Sequence, residues 1–291
     1  MLSLLKGNLP AMPRAAEKKA FVDTLCRENP EYTEVLALFS ELYAAIEGKE
    51  GETGLTVTLT ESKGAERLRD GVPFVSFDAI SVDREKALAF IGTVIDVMQR
   101  VGNDGGESLE RLRGALAEGK ADIPALLRGC LARERRVILE TALAVRIDPG
   151  LLEFALHTPL RTTLEQVAEG VDPARFAGWN RHLCPVCGSS AAMAELVGEG
   201  GERHLSCSTC FSRWTFNQSA CPFCGNDDPE KLTWFTTGDG PHRVDLCLAC
   251  TQYIKTRLSP SGSAGVPPEL DDLATVLLDL LAAQEGYRRG R

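Results

Sequence analysis

Eight cysteines between positions 184 and 250 fall into four Cys-x-x-Cys pairs: Cys184 with Cys187, Cys207 with Cys210, Cys221 with Cys224, and Cys247 with Cys250. Such a pair places two sulfurs on one tight turn, both aimed at a single ion, so two turns complete a tetrahedral four-thiolate site. Two of the turns are near copies, CPVCG at 184–188 and CPFCG at 221–225. The proline fixes how the chain enters the turn. The glycine lets the backbone fold close enough for N–H groups to point at sulfur, which steadies thiolate charge.

The stretches between the turns suit hairpins. AELVGEGGERHLS offers two short strands around Gly198–Gly201, and KLTWFTTGDGPHRVDL does the same around Gly238-Asp239-Gly240. Sequential pairing of these knuckles gives two rubredoxin-like or zinc-ribbon units, at about 184–210 and 221–250. A cross-braced pairing, first knuckle with third, is the alternative that spacing leaves open. Four thiolates suit zinc or a mononuclear iron equally well.

Compartment and charge narrow the chemistry. The opening MLSLLKGNLPAMPR has too short an apolar stretch for a signal peptide. The longest apolar run, around 87–98, is broken by Asp96 and too short for a bilayer. A cytoplasmic protein without membrane insertion is expected, and in reducing surroundings clustered Cys-x-x-Cys pairs favour metal over disulfides. The formal net charge is −9. Two four-thiolate sites holding divalent ions add −2 each, for a total of roughly −13. That acidity disfavours a grip on a phosphate backbone, so no nucleic-acid partner is expected.

Ahead of the cysteines the chain reads as helical. In 29–48, Asn29 is the expected N-cap, Pro30 opens the helix, and Val35, Phe39, Leu42 and Ile46 share one face. Ala87, Ile91, Val94, Met98 and Val101 repeat that logic over 83–106. A third long helical segment covers 122–150, and another helix runs from about 150 to 168. The stretch 51–82, with its alternating GLTVTLT, is expected to mix helix and loop. After the loose segment SPSGSAGVPP (259–268), one amphipathic helix over 269–289 carries a stripe of Leu270, Leu273, Leu277 and Leu280. The expected fold class is α+β: a mainly helical N-terminal domain (1–178), two tandem four-cysteine ribbon modules (179–258), and a linker with a C-terminal helix (259–291).

The remaining chemistry-bearing residues read as structural. Cys26 and Cys130 lie in helical patterns among apolar neighbours. His182 and His204 flank complete four-thiol sets, while His157 and His242 have no partner pattern. Trp214 and Trp234 are expected to cover the metal sites. Glu107/Glu110 and Asp271/Asp272 have the spacing of helix starts or solvated faces rather than catalytic dyads. No phosphate loop, dinucleotide fingerprint, nucleophile elbow or His-Glu-x-x-His motif is present, so catalytic residues are expected to be none and the protein non-enzymatic.

The order CPVCGS, RHLSCSTC, Trp214, CPFCG, CLACTQYIK and DDLATVLLDLLAAQEGYRR resembles the FdhE-type formate dehydrogenase accessory proteins over about 180–289. Tyr253 and Lys255 after the last knuckle belong to that pattern. The resemblance implies a cytoplasmic maturation factor that binds the catalytic subunit of a molybdenum- or tungsten-dependent respiratory formate dehydrogenase before export by the twin-arginine route. It also implies iron in rubredoxin-like sites at the eight cysteines, zinc being the alternative. Gln218 stands where the family pattern carries arginine. A zinc-ribbon nucleic-acid binder and a rubredoxin-like electron carrier are the competing readings.

Overall fold

The structure is a computed structural model that describes residues 15–28, 30–102, 106–132, 134–238, 240–262 and 265–290. The expected cap Asn29 lies outside the described residues, as do the opening stretch 1–14 and the side chain of Val35.

Helices α1 (Ala15–Glu28) and α2 (Thr33–Ile46) pack together, with Leu42 and Ile46 buried as their spacing requires. The stretch 51–82 forms an antiparallel pair, β1 (Leu55–Val57) and β2 (Ile80–Val82), around α3 (Glu61–Arg69). Helix α4 (Arg84–Val101) starts where the Asp83 carboxylate accepts the Lys86 N–H at 3.2 Å. Its face of Ala87, Ile91, Val94 and Met98 is buried. Helix α5 (Gly106–Ala117) follows.

The segment 122–150, expected as one helix, is divided into α6 (Ile123–Ala132) and α7 (Arg135–Val145). A side chain at Gly129 would collide with Val137, so the bare glycine lets the two helices close on each other. The Gly129 carbonyl accepts the Glu134 N–H at the bend (2.9 Å), and Arg146 ends α7 at φ 59°. Asp148 then caps α8 (Pro149–Glu169), whose Leu152, Leu156, Leu160 and Leu164 are fully enclosed.

The cysteine region forms one seven-stranded sheet among the described residues. The first ribbon supplies β3 (Ala191–Val197), β4 (Glu202–Cys207) and β5 (Arg213–Thr215). The second supplies β6 (Leu232–Thr236), β7 (His242–Cys247) and β8 (Gln252–Ser259). The order is β5-β4-β3-β8-β7-β6, antiparallel within each ribbon. The seam between ribbons is the parallel pair β3–β8, from Met193 against Lys255 to Val197 against Ser259. The duplicated units thus lie head to tail, the first strand of one against the third strand of the other. A single apolar core runs from the helices into the first ribbon, where Trp179, Val186 and Trp214 belong to the same buried cluster as Leu152.

The C-terminal segment is not the single helix its pattern suggests. It forms α9 (Pro268–Leu273), α10 (Val276–Gln284) and a short β9 (Arg288–Arg289) beside β8. The expected stripe is broken: Leu270 is buried, whereas Leu277 and Leu280 are exposed and Leu278 and Ala282 are buried instead. The cause is Lys255, only 1% exposed, whose ammonium donates to the carbonyls of Asp272 (2.7 Å) and Thr275 (3.3 Å). A cation that captures helix-end carbonyls ends α9 and re-phases the turn that follows.

Candidate metal centres

The cysteines converge in sequential order, which overturns the cross-braced alternative. Cys184, Cys187, Cys207 and Cys210 form one set, and Cys221, Cys224, Cys247 and Cys250 the other, with the sulfurs of each set within 4.8 Å of one another. Each knuckle sits where a hairpin begins or ends: Cys207 and Cys247 are the last residues of β4 and β7. The residue after each second cysteine adopts positive φ, at Gly188 (77°), Phe211 (54°), Gly225 (72°) and Thr251 (54°). Two knuckles meet this need with glycine; the other two bear the strain on a side-chain residue.

In the first set the closest sulfur pairs are Cys184–Cys210 at 3.5 Å and Cys187–Cys207 at 3.4 Å. In the second, Cys221–Cys250 is 3.8 Å and Cys224–Cys247 is 3.7 Å. Disulfide sulfurs lie at about 2.05 Å, whereas four thiolates about 2.3 Å from a tetrahedral ion are separated by about 3.8 Å. Backbone N–H groups aim at the sulfurs: Val186 and Cys187 toward Cys184 (3.3 and 3.5 Å), Thr209 and Cys210 toward Cys207 (3.3 and 3.4 Å), and Phe223 toward Cys221 (3.5 Å). Ser212 Oγ adds contacts to Cys184 (3.0 Å) and Cys210 (3.2 Å). Both donor sets fit a mononuclear thiophilic cation.

The two centres differ in shelter. All four cysteines of the first are buried, while in the second Cys224 is exposed and Cys250 half-buried. The first is roofed by the loop before β2, where Phe74 and Val75 donate to the carbonyls of Pro185 (2.7 Å) and Val186 (2.8 Å). Trp179 Nε1 donates to Leu183 (2.8 Å), and Lys18 and Arg161 lie 4.9 and 5.0 Å from the ring of Phe211. The second is backed by the C-terminus: any side chain at Gly290 would collide with Phe223. Burial pushes the Cys207 and Cys210 thiols well above their ordinary range. Burial would raise Cys187 too, but hydrogen bonds from the neighbouring thiols carry it well below. Without a cation the enclosed set therefore resists full deprotonation, and metal uptake must release protons.

Trp214 is enclosed and bonds to Arg181 through Nε1 (3.1 Å), as a cover should. Trp234 is not enclosed in this way; it is 57% exposed beside Arg243. Among the described residues His182 and His204 join neither cluster. Burial raises the Cys130 thiol to about 12, in keeping with a spectator role.

Residues for which no role was foreseen form a clasp. Asp271, expected at a helix start or on a solvated face, lies in the first turn of α9 but is buried, and bonds His242 (2.9 Å) and Arg257. Lys255 bonds Asp272 (2.7 Å) and Asp279 (2.6 Å), Tyr253 bonds Asp279 (2.7 Å), and Arg289 reaches both aspartates. The Asp-Asp and Leu-Asp signals of the last segment are thus complements to Tyr253, Lys255 and Arg257 on β8. Their meaning was hidden because the partners lie 14 to 26 residues apart.

Residues 183–218 match the model of the FdhE central domain. The chain is 25% identical over 272 residues to the FdhE homolog of Aquifex aeolicus (strain VF5), covering 91% of this chain and 89% of that one. It is 30% identical over 172 residues to the FdhE homolog of Edwardsiella ictaluri (strain 93-146), about half of each chain at 56% and 54%. In fold it is similar to the crystal structure of the FdhE protein from Pseudomonas aeruginosa, with TM-score 0.70, 20% identity and 96% of both chains covered.

Proposed function

We propose that this FdhE-type chain is a non-enzymatic factor in the maturation of a molybdenum- or tungsten-dependent respiratory formate dehydrogenase, binding its catalytic subunit in the cytoplasm before export. The observation that carries the reading is similarity to an FdhE homolog over 91% of the chain. It agrees with two convergent four-cysteine sets on a fold shared at TM-score 0.70. Cys184, Cys187, Cys207 and Cys210 would hold one ion, and Cys221, Cys224, Cys247 and Cys250 a second, iron being favoured by the resemblance and zinc the alternative. Such an ion would cross-link the two ends of each ribbon; the chain's own N–H groups orient the sulfurs, and in the first ribbon the burial of all four cysteines keeps water away.

The exposed Cys224 supports a second reading, a rubredoxin-like electron carrier, for which iron with a reversible ferric/ferrous couple is the minimum requirement. A nucleic-acid ribbon is disfavoured by the net charge of −9. The test is affinity purification of the tagged chain from anaerobically grown cells, with metal analysis and a parallel Cys184→Ser/Cys187→Ser variant. Co-purification of a formate dehydrogenase catalytic subunit, weakened in the variant, supports maturation. Recovery of nucleic acid or a redox partner without that subunit overturns it.

A further inference from the structure

We propose that the outer edge of β6, beside the more exposed cluster, receives an extended segment of the partner subunit as an added strand, a reading that rests on the maturation role above. The hydrogen-bond ladder shows the edge to be open. Leu258 N–H donates to Pro241 (2.7 Å) and Leu248 N–H to Lys231 (2.8 Å). Antiparallel partners alternate between facing a neighbour and facing away. With Leu232 opposite Cys247, residues 233 and 235 therefore turn their N–H and C=O toward β7, while Trp234 and Thr236 turn theirs outward. No described residue bonds those outward groups. The strand LTWFT has no charge or proline to blunt the edge, the usual protection of an exposed strand.

The internal duplication shows what such an edge accepts. β3 is the first strand of its ribbon, and its outer edge is filled by β8 in parallel. β6 is the first strand of the second ribbon, and its matching edge is vacant. Beside it lies a cavity of about 440 Å³, with Phe223, Leu232, Trp234 and Ile254 among its walls. The basic groups there are spent internally: Arg203 (3.1 Å) and Arg243 (2.7 Å) both pair with Asp245. Of the other charges on the lining, Asp227 is exposed to solvent, and Cys221 and Cys247 belong to the set that would carry −2 when loaded with a divalent ion. The excess negative charge therefore excludes an acidic side chain, and the walls Phe223, Leu232 and Ile254 favour an apolar or aromatic one in the groove. Gln252 Oε1 is buried there without a hydrogen-bond partner among the described residues and offers an acceptor. The ring of Trp234, 5.4 Å from the Arg243 guanidinium, forms an exposed wall of the kind that anchors interfaces.

A second copy of this chain is the competing occupant, offering its own β6 edge or the three-residue β5, and a mass measurement separates it from the partner subunit. The test compares full-length wild type, Thr236→Pro and Thr236→Ala for binding to a purified formate dehydrogenase catalytic subunit. Circular dichroism and metal content serve as fold controls, and light scattering reports mass. Proline at 236 removes an outward N–H and leaves the β7 ladder intact. The expected result is binding weakened by about tenfold in Thr236→Pro and little changed in Thr236→Ala. Wild-type binding that Thr236→Pro leaves unchanged overturns the edge alone. Wild type that does not bind overturns the maturation role and the docking proposal with it. Self-association abolished by Thr236→Pro assigns the edge to a second copy and overturns the proposed occupant.

Discussion

Replacing Lys255 by methionine tests whether the C-terminal clasp is held by one buried cation. Methionine keeps the length of the stem, so packing changes little, while the ammonium and its bonds to Asp272, Asp279 and two carbonyls disappear. Removing one partner of a buried ion pair costs roughly 3–5 kcal/mol, mostly from groups left without a counterpart. Arg289 still reaches Asp272 (2.5 Å) and Asp279 (3.2 Å), which places the expected loss near the lower end, about 3 kcal/mol. Against a typical stability of about 5–15 kcal/mol that is a large fraction. Urea unfolding followed by circular dichroism measures it. Asp279→Leu and the double variant complete a cycle, with an expected coupling of about 2 kcal/mol. A loss below about 1 kcal/mol, or strictly additive single effects, would refute the clasp as the device that ends α9 and seats the last helix.

Other outcomes follow from shelter, strain and charge. Chelator challenge of the metal-loaded protein should release metal in two phases separated by at least about tenfold, since the surrounding shell controls access; Cys224→Ser should remove the fast phase, and a single phase would contradict the difference in burial. Gly54 has φ 75°, and a side chain there would collide with the backbone of Ala87. Gly54→Ala should therefore cost at least about 1–2 kcal/mol for the left-handed conformation alone, read as a lowered melting temperature. Burial raises the Asp271 pKa, but bonds from His242 and Arg257 outweigh it and hold the carboxyl below its ordinary value. Its contribution is present above the ordinary carboxylate pKa and is lost as pH falls through the folded one, so the clasp should loosen below about pH 4. Limited proteolysis of the C-terminal segment measures this, and Asp271→Asn should flatten the response.

Much of the site was legible before any coordinates. Cys-x-x-Cys spacing is local: two residues on one turn can present two sulfurs in only a few ways, so eight ligand candidates and two hairpins could be read from position alone. The helices at 83–106 and 150–168 were equally readable, because an apolar face repeating every three to four residues needs a core on one side. Local pattern failed at the bend between α6 and α7 and at the break before α10. Gly129 and Lys255 act there through residues on another element, and helical periodicity does not register what lies across the gap.

By itself, then, the sequence determined the four knuckles with their eight ligand candidates and the helical character of the front half, because these depend on short-range geometry, while the sequential pairing of the knuckles was settled by the fold. Only the tertiary structure decided that the ribbons share one sheet through β3 and β8, and that one cluster is buried under the helices while the other opens to solvent beside a vacant strand edge. Pairing register and burial come from surfaces meeting across long separations in the chain. Two nearly identical pentapeptides, CPVCG and CPFCG, therefore end in different surroundings.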